Sequence, residues 1–174
     1  MTTRYEEGGS WAVPWIHQSD WEEMLQLTRN NCEGLGASRA EVMRYIDAIV
    51  TLYEEIETPL SSLCGATCQI CKEACCTKAT VWYDQRDITI YHLAIGFFPE
   101  KQVSRSVTGA CCHLGEDGCR LPRLERPFIC TWYICGAQTT ILRREVGNPA
   151  IGVLGQIHRI KEIRKRIGAL CLQV

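Results

Sequence analysis

Cysteines are the residues of this chain best suited to chemistry, and ten of its twelve lie between Cys64 and Cys135. They fall into two runs along the chain: Cys64, Cys68, Cys71, Cys75 and Cys76, then Cys111, Cys112, Cys119, Cys130 and Cys135. A thiolate is a soft ligand that suits zinc, copper(I) and iron–sulfur clusters. The Cys68–Cys71 pair has CxxC spacing, whose short turn can aim two sulfurs at one metal. The pattern predicts one metal-binding module built from both runs.

A longer motif accompanies this pair. It reads Cys68-x-x-Cys71-x-x-x-Cys75-Cys76, Cys112-His113-Leu114, Gly118-Cys119 and Arg126-Pro127-x-x-Cys130-x-x-x-x-Cys135. The motif covers about residues 64–136 and resembles the YkgJ-like cysteine-cluster family, small bacterial proteins of the CxxCxxxCC type described as zinc- or iron-chelating. The resemblance implies a metal or iron–sulfur site with eight ligands: Cys68, Cys71, Cys75, Cys76, Cys112, Cys119, Cys130 and Cys135. Cys64 and Cys111 are extra to this pattern and are additional candidate metal ligands.

Eight matched thiols fit two tetrathiolate sites, or one cluster with spare cysteines. Adjacent residues such as Cys75 and Cys76 point their side chains apart in an extended backbone, so they serve two sites more easily than one. Four thiolates around Zn²⁺ or a [4Fe–4S]²⁺ core leave a formal charge of about 2−. We expect N–H donors of Arg126 to act on ligating sulfurs and offset this charge, with Arg120 and Arg123 nearby in the sequence.

Other side chains with ligand chemistry have simpler interpretations. His113 follows Cys112 and could replace a thiolate, but the cysteines already suffice. Cys32 is isolated in the sequence and is interpreted as a plain thiol. Cys171 falls in the last predicted helix, where packing in the core is expected. We find no Ser–His–Asp arrangement, paired carboxylates or glycine-rich phosphate loop, so the catalytic residues are unknown.

The spacing leaves the metal open. Zinc sites commonly use two CxxC knuckles, whereas this chain has one, and irregular spacing with excess thiols favours one or two iron–sulfur clusters of the [4Fe–4S] type. The alternative cofactor is Zn²⁺. The Cys64-x-x-x-Cys68-x-x-Cys71 run also matches the signature of radical S-adenosylmethionine enzymes, but the repeated βα units of a barrel do not follow it.

Three functions are consistent with such a module. The first is an iron–sulfur protein in electron transfer or redox chemistry, which needs a redox partner that the sequence does not identify. The second is a structural zinc-binding interaction module, because zinc has no redox chemistry of its own. The third is a metalloenzyme with an open coordination site, at which a substrate replaces a missing ligand.

Charge and hydropathy indicate the cellular compartment and the classes of partner. The 174 residues carry a net charge of −1, so no whole-chain field favours nucleic acid or a membrane. The basic run at residues 158–166 is interpreted as a solvated helix face. The first residues lack the basic start and apolar run of a secretory signal, and no apolar stretch approaches the roughly 18 residues of a membrane span. We therefore predict a cytoplasmic protein with reduced thiols.

The predicted fold is mainly α with irregular metal-stabilised loops. Terminal helices pack around a cysteine-rich core that includes one or two short hairpins. We expect a single domain over residues 1–174, with an N-terminal helical part at 1–60, a cysteine-cluster module at 61–136 and a C-terminal helix at 148–172.

The elements that position the cysteines follow from local signals. The first predicted helix is Asp20–Asn30, and the second starts at a Ser38–Glu41 capping box and stops before Pro59. The third is Gln85–Ile95, between an N-cap at Asp84 and a C-cap at Gly96. The last starts at Asn148-Pro149 and reaches about Leu172. The predicted strands are Thr80–Tyr83, an edge strand at Lys101–Val107, and a hairpin around Gly115–Gly118 flanked by Cys112 and Cys119. Residues 1–18 are expected to form an irregular arm.

Overall fold

The computed structural model describes residues 13–71, 74–106, 109–115, 118–145 and 152–172. In this part of the chain the helices are α1 (Gln18–Glu33), α2 (Arg39–Cys68), α3 (Cys75–Lys78), α4 (Gln85–Ile95), α5 (Ile129–Trp132), α6 (Gly136–Glu145) and α7 (Val153–Cys171). Strands β1 (Leu114–Gly115) and β2 (Gly118–Cys119) pair antiparallel. The mainly α prediction is confirmed, and the stretch after Gly136, to which the sequence assigned no element, is helical.

The main hydrophobic core forms between α2 and α7. The predicted α2 stripe is buried over its whole length: Val42, Ile46, Ile49, Tyr53 and Ile56. From α7, Ile157, Ile160 and Ile167 lie in the same core, as their spacing of three and seven residues predicts. Each buried aliphatic side chain contributes about 1.5–3 kcal/mol. This pair of helices is the scaffold that supports the cysteine-bearing segments.

A second, smaller core lies between α1 and α4. Trp21 of α1 packs near Tyr83, with ring centroids 6.3 Å apart, and Ile88 of α4 is fully buried beside them. Cys111 and Cys112 pack against this cluster as half-buried residues. The second core therefore anchors one of the two cysteine-rich loops.

The prediction that Pro59 ends its helix is wrong. Pro59 lies inside α2, which continues to Cys68. A proline inside a helix costs about 3 kcal/mol because it removes a hydrogen bond and crowds the preceding turn. The apolar stripe continues past it, however, with Leu60 and Leu63 only 1% and 5% exposed. Burying two leucines, at about 1.5–3 kcal/mol each, offsets that cost. As a result Cys64 and Cys68 lie on a helix and not in a loop.

The predicted capping box at Ser38 and the predicted N-cap at Asp84 have different outcomes. Ser38 lies in a 3₁₀ turn with helical backbone angles, and its side chain makes no capping hydrogen bond, so that prediction is wrong. An N-cap needs an extended backbone to present its oxygen to the first turn. Asp84 has such a backbone and exchanges hydrogen bonds with Asp87, which confirms the predicted start of α4. Gly96 ends α4 with φ of 91°, the left-handed conformation expected of a C-cap glycine.

The strand predicted at Thr80–Tyr83 does not form, and the segment at 101–106 contributes only an isolated bridge between Arg105 and Cys111. A buried glutamine explains the first result. The Gln102 side chain accepts from the Tyr83 N–H at 2.7 Å and donates to the Tyr83 carbonyl at 3.1 Å. These are the bonds that a neighbouring strand would otherwise make.

The predicted hairpin is confirmed by β1 and β2, although its tip at 116–117 lies outside the described residues. The same holds for residues 107–108 of the predicted edge strand, for residues 1–12 of the predicted arm and for the Asn148-Pro149 helix start. The end of the last helix is described, and α7 stops at Cys171, one residue short of the prediction. Among the described helices, none has the length and apolarity that crossing a bilayer requires.

Candidate metal centre

Five thiols gather from three parts of the chain: the end of α2 and the turn after it, the first residue of α3, and the residue that precedes α6. We call Cys64, Cys68, Cys71, Cys75 and Cys135 group 1. The Cys64 and Cys68 thiols lie one helical turn apart on α2 and are in hydrogen-bonding contact. The thiolate of Cys75 is repelled by those of Cys135, Cys71 and Cys64. Group 1 therefore brings together the first and the last of the ten clustered cysteines.

Four further thiols gather around the hairpin. We call Cys76, Cys111, Cys119 and Cys130 group 2. The Cys76 thiolate is repelled most by Cys111 and Cys119, and that of Cys130 by Cys119, Cys76 and Cys111. The backbone also joins two of them, because the Cys111 N–H donates to the Cys76 carbonyl at 2.7 Å. Three short segments of the chain thus supply one set of four thiols.

The adjacent cysteines Cys75 and Cys76 take part in different groups. Both lie in α3, where successive side chains project about 100° apart around the helix axis. Cys75 thereby faces the α2 thiols, and Cys76 faces the hairpin. The two groups remain neighbours, since Cys76 also interacts with Cys75 and Cys68. The doublet is therefore divided between two groups of thiols by helical and not extended geometry, and its service of two metal sites stays a prediction.

Gln138 of α6 connects three cysteines of group 1, a role that the sequence analysis missed. Its Nε2 donates to the sulfurs of Cys64 and Cys68 at 3.7 Å each and to the Thr67 hydroxyl at 3.2 Å. Its Oε1 accepts from the Cys135 N–H at 3.3 Å. Gln138 is 6% exposed, so these contacts account for a buried amide. Its position three residues after Cys135 was the only signal in the sequence.

Arg123 is the arginine that reaches a thiol. Its side chain is 2% exposed and lies within hydrogen-bonding reach of Cys64. Its other contacts are long, with Nε 3.5 Å from a Glu57 carboxylate oxygen and Nη2 3.5 Å from the Ser61 hydroxyl. The buried Nε has no hydrogen-bond partner. The buried guanidinium therefore has the Glu57 carboxylate and the Cys64 thiol as neighbours, and negative charge at Cys64 would improve its pairing.

The other two arginines of this region bond to backbone carbonyls. Arg126 Nε donates to the Leu121 carbonyl at 2.8 Å, and Arg120 Nη2 donates to the Cys112 carbonyl at 2.6 Å. The expected action of Arg126 on a ligating sulfur therefore stays a prediction. Both contacts tie down the loop between the hairpin and Cys130.

A buried ion pair positions the segment that carries Cys130. Arg164 of α7 bonds to Asp87 of α4 at 2.7 Å, and both side chains are about 5% exposed. The Asp87 carboxylate also accepts from the Phe128 N–H at 3.0 Å, two residues before Cys130. Burial raises the pKa of Asp87, and the Arg164 guanidinium opposes that rise. Two core helices thus hold one end of the group 2 loop.

The remaining predicted residues lie at the edge of the groups or away from them. Cys112 contacts the Cys111 thiol, and its N–H donates to the Ser104 carbonyl at 3.0 Å. Burial, with Arg120 and Lys101 nearby, lowers the pKa of His113. Cys32 and Cys171 are buried, and burial raises the pKa of each thiol to about 11. The burial of Cys171 in the main core confirms its packing role.

Five of the nine thiols, Cys68, Cys75, Cys76, Cys111 and Cys130, have a raised pKa, which favours their protonated form. Burial first, and then repulsion between thiolates, raises the pKa of Cys76 to about 11 and also raises those of Cys68 and Cys75. The same causes raise the pKa of Cys130, although that residue as a whole reaches the surface. In the described part of the chain, no three Cys, His, Asp or Glu side chains already converge on a point suited to a metal ion.

The two groups are therefore gathered thiols and not finished coordination shells. Metal binding would have to displace protons and draw the sulfurs together. The donor set fits such a metal in two respects. Soft sulfur ligands number at least four in each group, and the buried Arg123 guanidinium, whose ion pair with Glu57 is 3.5 Å long, lies within reach of the Cys64 sulfur.

A cavity of about 340 Å³ adjoins group 2 on the side of the second core. Its wall is mostly apolar and includes Val13, Ile16, Val81, Val103, Arg105 and Cys111. The volume is at the lower end of the range that small-molecule sites occupy. It leaves room for a small molecule beside one thiol of group 2.

Comparisons with known proteins give no relative for this chain. No family model, curated protein or solved structure matches it. The likeness to the YkgJ-like family therefore remains a hypothesis that depends on the spacing of the cysteines.

Proposed function

We propose that the chain is a metal-binding protein that holds iron–sulfur clusters at groups 1 and 2 and works in electron transfer or redox chemistry. The observation that carries this proposal is the sorting of nine cysteines into two neighbouring thiol groups. Cysteines far apart in sequence, such as Cys64 and Cys135, meet in the same group. A hydrophobic core gains nothing from gathering thiols that remain partly open to solvent, whereas a metal requires it.

The ligand supply suits one cluster in each group. A [4Fe–4S] cluster is held by four cysteine thiolates, and when bound it supplies one-electron redox chemistry. Group 2 offers four thiols, with Cys112 beside them, and group 1 offers five. Hydrogen bonds to sulfur and burial tune the potential of such a cluster, and Gln138 supplies such bonds in group 1.

Group 1 is the side from which electrons would be exchanged with a protein partner. Cys68, Cys71 and Cys75 are exposed, and so are three apolar residues, one next to Cys71 and two between Cys130 of group 2 and Cys135 of group 1. These are Ile70, which is 83% exposed, and Trp132 and Tyr133, which are about half exposed. Weak electron-transfer contacts use small surfaces of this kind. The partner would be a redox protein of the cytoplasm, the compartment that the sequence predicts.

Structural zinc is the second candidate. It is favoured by the shortness of most helices and strands between Cys71 and Cys135. From Cys71 to Cys135 only α4 exceeds four residues within the described part of the chain. Zinc tetrathiolate sites fold segments of this kind outright. The irregular loops would then be metal-stabilised, and the function would be in a binding surface.

The deciding measurement is metal and sulfide analysis, with a visible spectrum, of protein purified without oxygen. We expect iron and acid-labile sulfide in near-equal amounts and a broad visible absorption that dithionite bleaches. A Cys32→Ala variant is the matched control and should keep the full metal content, because Cys32 lies outside both groups. Colourless protein with one or two zinc ions would establish the second candidate, and metal-free protein would overturn both.

The metalloenzyme hypothesis depends on the cavity beside Cys111. It requires a substrate that changes the visible spectrum of the metal-loaded protein. A bound substrate of this kind would have to enter next to group 2, since Cys111 is the thiol that lines the cavity.

A further inference from the structure

Group 1 contains five thiols, one more than a tetrathiolate site needs. The family pattern would supply Cys68, Cys71, Cys75 and Cys135 and would leave Cys64 out. The contacts of the five thiols differ, however, and they point to another choice of four.

The first difference is the element that carries each thiol. Cys64 and Cys68 lie on α2 with a spacing of four residues, which places both side chains on one helix face. Cys71 lies beyond the end of that helix, and its N–H donates to the Cys68 carbonyl in a turn at 3.2 Å. The helix fixes the spacing of the Cys64 and Cys68 side chains before any ligand binds.

The second difference is the supply of hydrogen-bond donors. Gln138 Nε2 lies 3.7 Å from both the Cys64 and Cys68 sulfurs. For the Cys71 sulfur, no side-chain donor is found among the described residues. Donors to sulfur orient ligating thiolates and stabilise their charge. Gln138 also accepts from the Cys135 N–H, so one buried amide connects Cys64 to two other members of the group.

The third difference is the buried charge of Arg123. This guanidinium is within reach of Cys64, and its Nε has no hydrogen-bond partner. Its contacts with Glu57 and Ser61 are both 3.5 Å long, which leaves its charge poorly compensated. A thiolate at Cys64 would add a second negative partner to the long ion pair that Arg123 makes with Glu57.

We propose that Cys64, together with Cys68, Cys75 and Cys135, holds the metal of group 1, and that Cys71 is the spare thiol. This inference rests on the proposed function and specifies the ligands of one of its two sites. It also gives Gln138 and Arg123 a common purpose, since both act on Cys64.

The test uses Co²⁺ as the probe on the full chain, because cobalt bound to thiolates gives charge-transfer absorption. In the intact protein, thiols protected by Co²⁺ are identified by alkylation with iodoacetamide followed by mass spectrometry. We expect Cys64 to be protected and Cys71 to be alkylated. Alkylation of Cys64 in the cobalt-loaded protein would overturn the inference without any variant having to fold.

Two matched variants give the second arm of the test. Cys64→Ser should lower the affinity for one of the two cobalt ions by more than about 100-fold. This loss exceeds the 10–100-fold that is typical when a ligand loses an outer hydrogen-bond partner. Cys71→Ser should leave both affinities unchanged. Loss of cobalt from Cys71→Ser, or full retention by Cys64→Ser, overturns the inference. Failure of the wild-type protein to bind any metal would instead overturn the proposed function.

Discussion

The two thiol groups are built in different ways. Group 1 lies at the ends of helices, and a buried glutamine and a buried arginine act on its sulfurs directly. Group 2 lies on the four-residue helices α3 and α5, a two-residue hairpin strand and the loop before it, and no such glutamine or arginine contacts its sulfurs among the described residues. Its support comes instead from backbone bonds and from an ion pair in the core.

This contrast shows two ways to place thiols from distant segments. A helix fixes the spacing of its own residues, so group 1 needs only a few side chains to connect its parts. The short segments of group 2 do not fix the distances between their thiols, so group 2 depends on hydrogen bonds and an ion pair that hold these segments to the helices behind them. We therefore expect substitutions at these supports to affect one group and to spare the other.

The largest expected effect comes from the adjacent cysteines. Cys75→Ser should abolish metal binding at group 1 only, and Cys76→Ser at group 2 only, because the two thiols face different partners. Each variant should therefore contain about half of the wild-type metal if each group binds one metal or cluster. Metal analysis of the purified variants measures this directly.

The two variants serve as controls for each other, since the substitution and its place in the chain are nearly the same. If Cys76→Ser keeps the full metal content, the two-group description fails; if Cys75→Ser alone keeps it, Cys71 has replaced Cys75 in group 1. If each variant loses the metal of one group only, the two variants become single-site backgrounds in which each group can be studied alone.

The next largest effect is expected at Arg164. Arg164→Met leaves the buried Asp87 carboxylate without its partner, which costs about 3–5 kcal/mol in the free energy of unfolding. Asp87 also binds the Phe128 N–H, so the loop that carries Cys130 should loosen. Urea unfolding of the metal-free protein measures the loss of stability. In the Cys75→Ser background, weaker metal binding would show the effect on group 2.

Lys165→Met is the matched control, one residue further along α7. Lys165 makes a 2.7 Å ion pair with Glu162 in which both side chains are exposed, and exposed pairs of this kind contribute little. If Arg164→Met is no more destabilising than Lys165→Met, the ion pair does not support the loop. If it weakens group 1 as much as group 2, the two supports are not separate.

The sequence predicted the helical frame well because the signals there are local and periodic. The α2 and α7 stripes, the Asp84 cap and the Gly96 C-cap all follow from spacing or from single-residue conformational preferences. The hairpin was predictable for the same reason, since two glycines flank its turn. Pro59 shows the limit of such rules, because the buried leucines after it decided whether the helix continued.

That the cysteines of the two runs gather was predictable from the sequence, but their partition into two groups was not. Spacing marks which cysteines are near in sequence, whereas Cys64 and Cys135 meet only through the packing of α6 against α2. Gln138 and Arg123 carry no motif, and their importance appears only when their burial and their contacts with sulfur are known. Arg126, four residues before Cys130 in the sequence, bonds to the Leu121 carbonyl, and its expected action on a sulfur stays a prediction.

The smallest expected effect concerns the glutamine that distinguishes group 1 from group 2. Gln138→Leu removes the N–H donors to Cys64 and Cys68 while keeping a side chain of similar volume. Loss of an outer partner of this kind lowers metal affinity by about 10–100-fold. Affinity measured by competition with a chelator in the Cys76→Ser background, which keeps only group 1, should fall in that range.

Two comparisons make this result specific. In the Cys75→Ser background, which keeps only group 2, Gln138→Leu should leave metal affinity unchanged. Thr140→Val, an exposed position on the same helix whose hydroxyl bonds only to the Gly136 carbonyl, should have no effect in either background. An equal loss in both backgrounds would mean that Gln138 supports the fold in general. In that case the difference between a side-chain-held group and a backbone-held group would no longer stand.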